Sequence, residues 1–482
     1  MRADYTEPIE CFGGLCMFIG REKELQALER LYGSDRFEFV VLYGRRRVGK
    51  TALISRFIAD KRAVYCMGVE SNAKQNLENL TRSILELSAG ERINATFDSF
   101  QDALEHIFRL AENERIVLAI DEYPYLARGT KSLASTLQML IDRHHNSTRL
   151  MLILCGSSVS YMEDHVLAYK APLYGRRTAQ IRLEPFDFEQ VCRYLSPLSA
   201  MDKALLYGVV GGTPQYLREM RSDLTAEQNI RRTFLDSTSA LFEEPSNLLR
   251  QEVREAAVYN AIITAIASGS SKMSEIATKV GESTSACSAY LRTLRMLGLV
   301  QKEAPYGEKA SKKAIYALED NMFRFWYRFI PENMSLIARG AQDLAWQRIE
   351  PHLPRYMGKV FEQICRQYLW RCLLAGQSPV LFSSLGRWWG NDPTRKAQME
   401  IDILGAQDED TALFGECKWT QQPVDVEVLE TLRHRAGLFP YRERHLYLFA
   451  KEGFTPRCEQ AAREDPHVHL LSFFQMMTAL DA

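Results

Sequence analysis

The sequence predicts an α/β protein of several domains, and three observations carry that reading. At roughly 100–200 residues per domain, a chain of 482 residues holds about three. Short apolar runs at 37–43, 63–67, 115–120, 150–155 and 179–185 alternate with longer helical patterns, as in a parallel sheet covered on both faces. The C-terminal third has a different order: a helix at 355–371, strands at 378–385, 399–405 and 412–419, a helix at 425–437, a strand at 444–450, a helix at 456–463 and a strand at 467–473. Between these lie an all-helical stretch and a segment of three helices with a two-stranded hairpin. The expected divisions are a sheet domain over 1–185, a helical lid over 186–250, a helix–hairpin domain over 251–320, and an aromatic bridge with the last domain over 321–482.

Composition narrows the class. With 46% hydrophobic and 25% charged residues the chain is neither disordered nor fibrous. Sixty Lys+Arg against 61 Asp+Glu give a net charge of −1, which excludes a uniformly basic coat but not a local basic patch. None of the ten cysteines has C-x-x-C or zinc-finger spacing, and Cys66 and Cys155 sit inside apolar runs, as expected of reduced thiols in a cytosolic protein. The start, MRADYTEPIECFGGLCMF, lacks a sustained apolar core, and no apolar stretch approaches 18 residues, so a cytoplasmic protein without a membrane partner is expected.

The first apolar run leads into Gly44-Arg45-Arg46-Arg47-Val48-Gly49-Lys50-Thr51 and then a helical pattern, which is G-x-x-x-x-G-K-[ST] in strand–loop–helix context. Such a loop turns backbone N–H groups toward phosphates, Lys50 supplies a point charge, and Thr51 offers a hydroxyl to Mg²⁺. The run 116–120 ends in Asp121-Glu122, suited to the Mg²⁺ shell and to polarising an attacking water, and Tyr123-Pro124 is expected to stop regular structure. The run 150–155 ends in Gly156-Ser157-Ser158, either a hydroxyl that senses the γ-phosphate or orients the water, or a plain Ser-rich turn. In Tyr174-Gly175-Arg176-Arg177, an arginine reaching the nucleotide and a solvated basic turn are the two readings, Arg176 being the candidate.

With Gly20-Arg21-Glu22-x-Glu24-Leu25, IDEYPYL and LYGRRT, these segments resemble the archaeal-type ATPases of the AAA+/STAND branch of P-loop NTPases. The resemblance implies ATP and ADP as ligands with Mg²⁺ as cofactor. It also makes Pro214, within Val210–Leu217, a nucleotide-contacting residue of the lid. A homo-oligomer is admitted, because Arg176 or Arg177 acts either in cis or across a subunit boundary.

Ser274–Val280 and Thr284–Leu297, after a longer helix at 254–267, read as a winged helix, with Ala286, Tyr290, Leu291, Leu294 and Leu297 as the buried stripe of the third helix. Ser285, Ser288, Arg292 and Arg295 occupy another face, and the wing adds Lys309, Lys312 and Lys313. DNA binding and an intramolecular clamp on the nucleotide both fit. The segment Asn321–Phe329 resembles the opening of the family's C-terminal region and reads as a packed spine.

In the last domain Asp402 and Glu416 are a hairpin's length apart and Glu416 shares a face with Lys418, while Cys417 points to the core. Two carboxylates that share Mg²⁺ beside a lysine suit phosphodiester chemistry, and Glu362 on the preceding helix reaches the same place. The order helix-Glu, strand-Asp, Glu-x-Lys resembles the PD-(D/E)XK nuclease superfamily, a restriction-endonuclease-like fold, without a literal Pro-Asp; a surface hairpin is the plain alternative. The expected protein is therefore a Mg²⁺-dependent ATPase coupled to a DNA-directed nuclease. The alternative is a nucleotide-switched regulator whose last domain only docks DNA or a protein.

Overall fold

The computed structural model describes residues 18–89, 97–308 and 313–481. They form two compact units: one runs to Pro185 and takes in Thr213–Arg218, and the other comprises Phe186–Gly212 and the residues from Glu219 onward.

The first unit is built on five parallel strands, β1 (Glu38–Tyr43), β2 (Ala63–Met67), β3 (Ile116–Asp121), β4 (Leu150–Gly156) and β5 (Ala179–Arg182), in the order β2-β3-β4-β1-β5. Every residue of β1, β3 and β4 is buried, which is why these strands read as unbroken apolar runs rather than alternating ones. The helix Lys50–Ile58 follows β1 and packs Leu53, Ile54 and Phe57 on Val40, Leu42, Val117 and Ile153. Truncating Phe57 to alanine would cost about 3–5 kcal/mol in lost burial and cavity.

One local expectation fails here. Tyr123-Pro124 does not end regular structure but starts the helix Tyr123–Gly129. Proline lacks only an N–H that the first helical turn leaves unused anyway, and its fixed φ suits that turn.

The second unit opens with helices Phe188–Tyr194, Ala200–Val210, Ala226–Phe234 and Glu244–Glu252. Helices Ala256–Ala267, Met273–Val280 and Thr284–Met296 follow, and then the antiparallel pair β6 (Val300–Glu303) and β7 (Ile315–Leu318). In the third of these helices the buried line is Cys287, Leu291 and Leu294; Ala286 and Tyr290 lie beside it half-exposed, since i, i+4, i+7 spacing selects residue 287. The aromatic segment is itself a helix, Asn321–Ile337, and it ties the unit together. Its Trp326 indole donates to the Phe242 carbonyl at 2.7 Å, its Tyr327 hydroxyl to Asn260 at 2.6 Å, and its Asn321 amide to the Tyr207 carbonyl at 3.0 Å.

After the helix Leu353–Leu374 comes a mixed sheet of β8 (Gly386–Asp392), β9 (Ala397–Ala406), β10 (Thr411–Lys418), β11 (Glu443–Ala450) and β12 (Val468–Ser472), in the order β12-β11-β10-β9-β8. β8, β9 and β10 pair antiparallel, while β10, β11 and β12 pair parallel through helices Val426–Gly437 and Pro456–Arg463. The strand expected at 378–385 is displaced to Gly386–Asp392. Val380 and Phe382 are buried, as the apolar run implied, but in irregular backbone whose hydrogen bonds come from the Ser378 hydroxyl and the Gln407 side chain. Apolarity reports burial, and it does not by itself report a ladder. The chain ends in a further helix, Phe473–Asp481. Among the described residues no helix is long and apolar enough to cross a membrane.

Candidate functional site

The C-terminal ends of β1, β3 and β4 bring together three segments that lie far apart in sequence. The loop after β1 curls tightly: a Cβ on Gly44 would sit 2.4 Å from the Leu183 carbonyl oxygen, and Gly49, at φ 92°, caps the helix in the left-handed region that favours glycine. Arg47 adopts φ 73° between them, a strained conformation for a residue with a side chain. Val48 is fully buried, and its carbonyl accepts from Arg21 at 2.8 Å, while the same guanidinium nitrogen donates to the Glu184 carbonyl at 2.7 Å. Arg21 is thus a clamp on the loop from a different segment, and its motif marked the resemblance without revealing that role.

Lys50 is buried, its Nζ donating to the carbonyls of Gly44 and Arg45 at 3.0 and 2.9 Å. The three loop arginines each have a destination. Arg45 donates to the buried Thr213 hydroxyl, Arg46 to the Tyr125 hydroxyl at 2.8 Å, and Arg47 lies over the Tyr216 ring at 5.9 Å. Thr213 and Tyr216 flank Pro214, whose Cγ lies 3.9 Å from the position of a Cβ on Gly49. Pro214 therefore does stand against the phosphate loop, in the short segment Thr213–Arg218 that belongs to this unit.

Opposite the loop, the Thr51 hydroxyl donates to Asp121 Oδ2 at 2.7 Å, and the Tyr65 hydroxyl donates to the same oxygen at 3.0 Å. Asp121 is fully buried, and its Oδ1 accepts from the Glu122 backbone N–H at 2.9 Å. Burial and the neighbouring Asp121 carboxylate push both the Tyr65 hydroxyl and the Cys155 thiol well above their ordinary pKa, keeping them neutral. Glu122 is held at φ 49°, ψ 42°, again left-handed, and its Oε2 accepts from the Ser157 hydroxyl at 2.8 Å. Strain of this kind persists where surrounding contacts over-determine a geometry, and it concentrates at functional positions. Gly68 allows the strand beside it to approach, since a Cβ there would lie 2.5 Å from the Glu122 carbonyl oxygen. The set Thr51 Oγ1 and Asp121 Oδ2 consists of hard oxygens, which fits Mg²⁺.

Arg176 is not drawn into this cluster by any hydrogen bond among the described residues. Its guanidinium instead pairs bidentately with Asp142, both contacts at 2.7 Å, and Arg177 lies over the Tyr174 ring at 5.7 Å. Tyr65, Tyr125, Thr213 and Arg21 are the participants that spacing did not reveal: Tyr65 carries no motif, and Arg21, Tyr125 and Thr213 lie in segments that marked the resemblance without assigning them these contacts.

In the second unit, a carboxylate cluster forms where β9 and β10 leave their regular pairing. Gly386 pairs with Leu404 but Trp388 with Ile401, so β9 carries one extra residue across that interval, and the β9–β10 ladder is regular as far as Gly415 and Ile403. Asp402 lies in this bulge rather than in a plain cross-strand pair, and its Oδ2 accepts from the Cys417 backbone N–H at 2.9 Å. Glu416 contacts Lys418 at 2.7 Å and Arg435 at 3.1 Å. Glu362 contacts Lys359 at 2.9 Å, and Arg387 stands 3.8 Å from Glu362 and 2.8 Å from Glu303 while also binding Glu400. Burial first, and then the Asp402 charge, hold the carboxyls of Glu362 and Glu416 above the usual carboxylate range. Burial opposes the Lys418 ammonium, but Glu416 outweighs it and raises the lysine pKa. Carboxylates crowded in this way would be relieved by a divalent cation. Cys417 is half-buried, with its thiol against that of Cys365.

Ser285, Ser288, Arg292 and Arg295 are all exposed on one side of the helix Thr284–Met296. Lys313 is exposed and pairs with Glu308 at 3.0 Å, while Lys309 and Lys312 lie outside the described residues. The β6–β7 hairpin also bonds to the larger sheet. The Tyr306 N–H donates to the Arg387 carbonyl at 2.8 Å, and its hydroxyl accepts from the Ala406 N–H at 2.9 Å.

Comparison with known proteins matches residues 18–220 to an ATPase domain predominantly from Archaea, and residues 326–430 to a family of archaeal and bacterial proteins of unknown function. An uncharacterized protein of Methanocaldococcus jannaschii is 31% identical over 407 residues, 84% of this chain and 88% of that one. An uncharacterized ATP-binding protein of the same organism is 42% identical over 57 residues, 11% of this chain and 97% of that one. Among solved structures, a Walker-type ATPase of Pyrococcus abyssi superposes with TM-score 0.50 at 19% identity, covering 64% of this chain and 96% of that one.

Proposed function

Because the chain belongs to the family of P-loop ATPases whose ATPase domain is predominantly archaeal, we propose that it is a Mg²⁺-dependent ATP switch controlling a DNA-directed, nuclease-like effector in its second unit.

In the first unit, the loop Gly44–Thr51 receives the β- and γ-phosphates, with its backbone N–H groups and Lys50 facing their charge. Thr51 and Asp121 would hold Mg²⁺, which supplies charge neutralisation on the phosphates when bound. Glu122, its Oε2 held by Ser157, keeps Oε1 to orient a water against the γ-phosphorus and to take its proton as the bond to the ADP oxygen breaks. The segment Thr213–Arg218 touches the loop at Arg45, Arg47 and Gly49, and the chain continues from both of its ends into the second unit. This is the route by which nucleotide state would reach the effector. Arg176 joins catalysis only by exchanging Asp142 for phosphate, within the chain or in a second copy.

One observation carries the effector reading: Glu362, Asp402, Glu416 and Lys418, drawn from a helix and two strands, converge at a bulge in an α-β-β-β-α-β arrangement. That arrangement supports a PD-(D/E)XK-like domain, in which Asp402 and Glu416 would hold Mg²⁺ and Lys418 would face the phosphate. The three helices and hairpin before it support a winged helix. Its exposed Ser285, Ser288, Arg292 and Arg295 suit duplex DNA, and the exposed Lys313 of the hairpin segment adds a further positive charge. Incubating plasmid DNA with the protein and Mg²⁺ or Mn²⁺, with and without ATP, tests this. Cutting lost in Asp402→Ala supports it, and cutting that survives Asp402→Ala, or none under any condition, refutes cleavage by this site.

A specific observation favours the second reading, a regulator whose last domain docks without cutting. Lys359, Arg387, Lys418 and Arg435 already pair with Glu362, Glu400 and Glu416. Salt-dependent duplex binding without strand scission is its signature.

A further inference from the structure

At the opposite end of the C-terminal sheet, β11 and β12 gather side chains of a different chemistry. Glu443 and His445 are two apart on β11 and so share a face, while the parallel register that pairs Leu446 with Val468 sets His467 beside His445. His445 Nε2 lies 3.0 Å from Glu443 Oε1, His467 Nδ1 lies 3.9 Å from that same oxygen, and the three donor atoms all fall within 4.8 Å of one another. His467 Nδ1 is shielded from solvent and has no hydrogen-bond partner among the described residues, although the rest of its ring is partly exposed. A buried ring nitrogen left unpaired costs free energy that a ligand would recover. The groups behind the donors are also set. His445 Nδ1 meets His469 Nε2 at 3.1 Å, the His469 ring stacks on Tyr447 at 4.4 Å, and the Thr411 hydroxyl approaches Glu443 Oε2 at 3.5 Å.

We propose that Glu443, His445 and His467 form a binding site for a divalent transition-metal ion of the zinc class, with His469 and Thr411 orienting the ligands from behind. Two imidazoles and one carboxylate suit zinc and its neighbours rather than Mg²⁺, which takes oxygen donors. A tetrahedral ion with ligands at about 2.0–2.1 Å needs donors about 3.3 Å apart, so small ring rotations bring all three into range. His445 with its Nδ1–H turned to His469 presents the Nε2 lone pair to the ion, and this second-layer contact fixes the tautomer. Three protein donors leave an open position for water or an incoming ligand. The site is separate from the carboxylate cluster. Glu443 is in register with Thr411, five residues along β10 from Glu416, or about 16 Å.

The test uses the full chain, stripped with chelator and titrated with Zn²⁺ alone in a calorimeter, with thermal melting as a second readout. One tight site per chain is expected, with the melting temperature raised by zinc. His467→Ala and Glu443→Gln, both at partly exposed positions that tolerate truncation, should weaken binding at least tenfold and abolish the zinc-dependent rise. His469→Phe should weaken it by about 10–100-fold, the usual loss when a second-layer partner is removed. Asp402→Ala should leave zinc affinity within twofold. Absence of a tight site overturns the proposal. So does wild-type affinity in both His467→Ala and Glu443→Gln, which would move the zinc to cysteines, and so does loss of affinity in Asp402→Ala, which would move it to the carboxylate cluster.

Discussion

Ser157→Ala isolates what holds Glu122, the carboxylate proposed to orient the attacking water. The Ser157 hydroxyl donates to Glu122 Oε2 at 2.8 Å, while the Ser157 backbone N–H reaches the same oxygen only at 3.4 Å. Glu122 also stands in a left-handed conformation that a residue with a side chain enters at a cost of about 1–2 kcal/mol, so it depends on its contacts to stay aimed. A hydrogen bond to a charged group contributes about 1.5–3 kcal/mol. At about 1.4 kcal/mol per decade, its loss lowers kcat by roughly tenfold to a hundredfold, the lower end applying if the backbone N–H shortens to compensate. Ser157 is buried and the substitution removes one oxygen, so folding should be little affected. ATP affinity should stay within about threefold, because the loop and Lys50 are untouched. Phosphate release under saturating ATP, with equilibrium binding of a fluorescent nucleotide, separates these quantities. A kcat within threefold of wild type, or a loss carried by affinity instead, would refute the argument that Ser157 acts by holding Glu122.

Three other expectations follow from the same geometry. Lys50→Ala should abolish nucleotide binding while Glu122→Gln binds ATP without turning it over, measured by the same two assays; unchanged hydrolysis in both would remove the site assignment. Asp392, bonded first to the Arg395 N–H and then to His434 and the Thr394 N–H, has its carboxyl held down to about 2. A depressed carboxylate stabilises the fold above its ordinary value near 3.8 and loses that contribution as pH falls to about 2; urea unfolding of Asp392→Asn should therefore show a shallower acid loss over that window, and parallel curves would contradict it. Tyr306→Phe strips the acceptor from the Ala406 N–H and should cost about 1–3 kcal/mol in denaturant unfolding of the second unit; a change under 0.5 kcal/mol would mean the hairpin is not tied to the sheet there.

Much of the ATPase site is legible because its chemistry is written in contiguous residues. A phosphate loop needs glycines, a lysine and a hydroxyl at set spacing, and the next carboxylates must end a buried strand, so Gly44–Thr51 and Asp121-Glu122 stand out in one dimension. Pro214 was reached only through family resemblance, and its contact with the loop depends on where Thr213–Arg218 packs. Arg176 shows the limit from the other side: the residue type fitted, but Asp142 takes the guanidinium, and no spacing argument contains Asp142. The C-terminal element order was also readable, apart from the strand that moved from 378–385 to Gly386–Asp392.

Local chemistry, then, belongs to the sequence by itself: the alternation of buried strands and helices, the phosphate loop, and the Glu-x-Lys strand, all set by periodicity and residue type over a few neighbours. The tertiary structure alone decided which distant groups close each site. Arg21, Tyr65 and Thr213 reach the phosphate loop and its carboxylates, an extra residue in β9 re-aims Asp402, and parallel register sets His467 beside His445. The reason is physical. Propensity and pattern act over one or two turns of chain, whereas strand register, a bulge and the partner of a buried polar group are settled only when long-range packing makes each unsatisfied donor or acceptor costly.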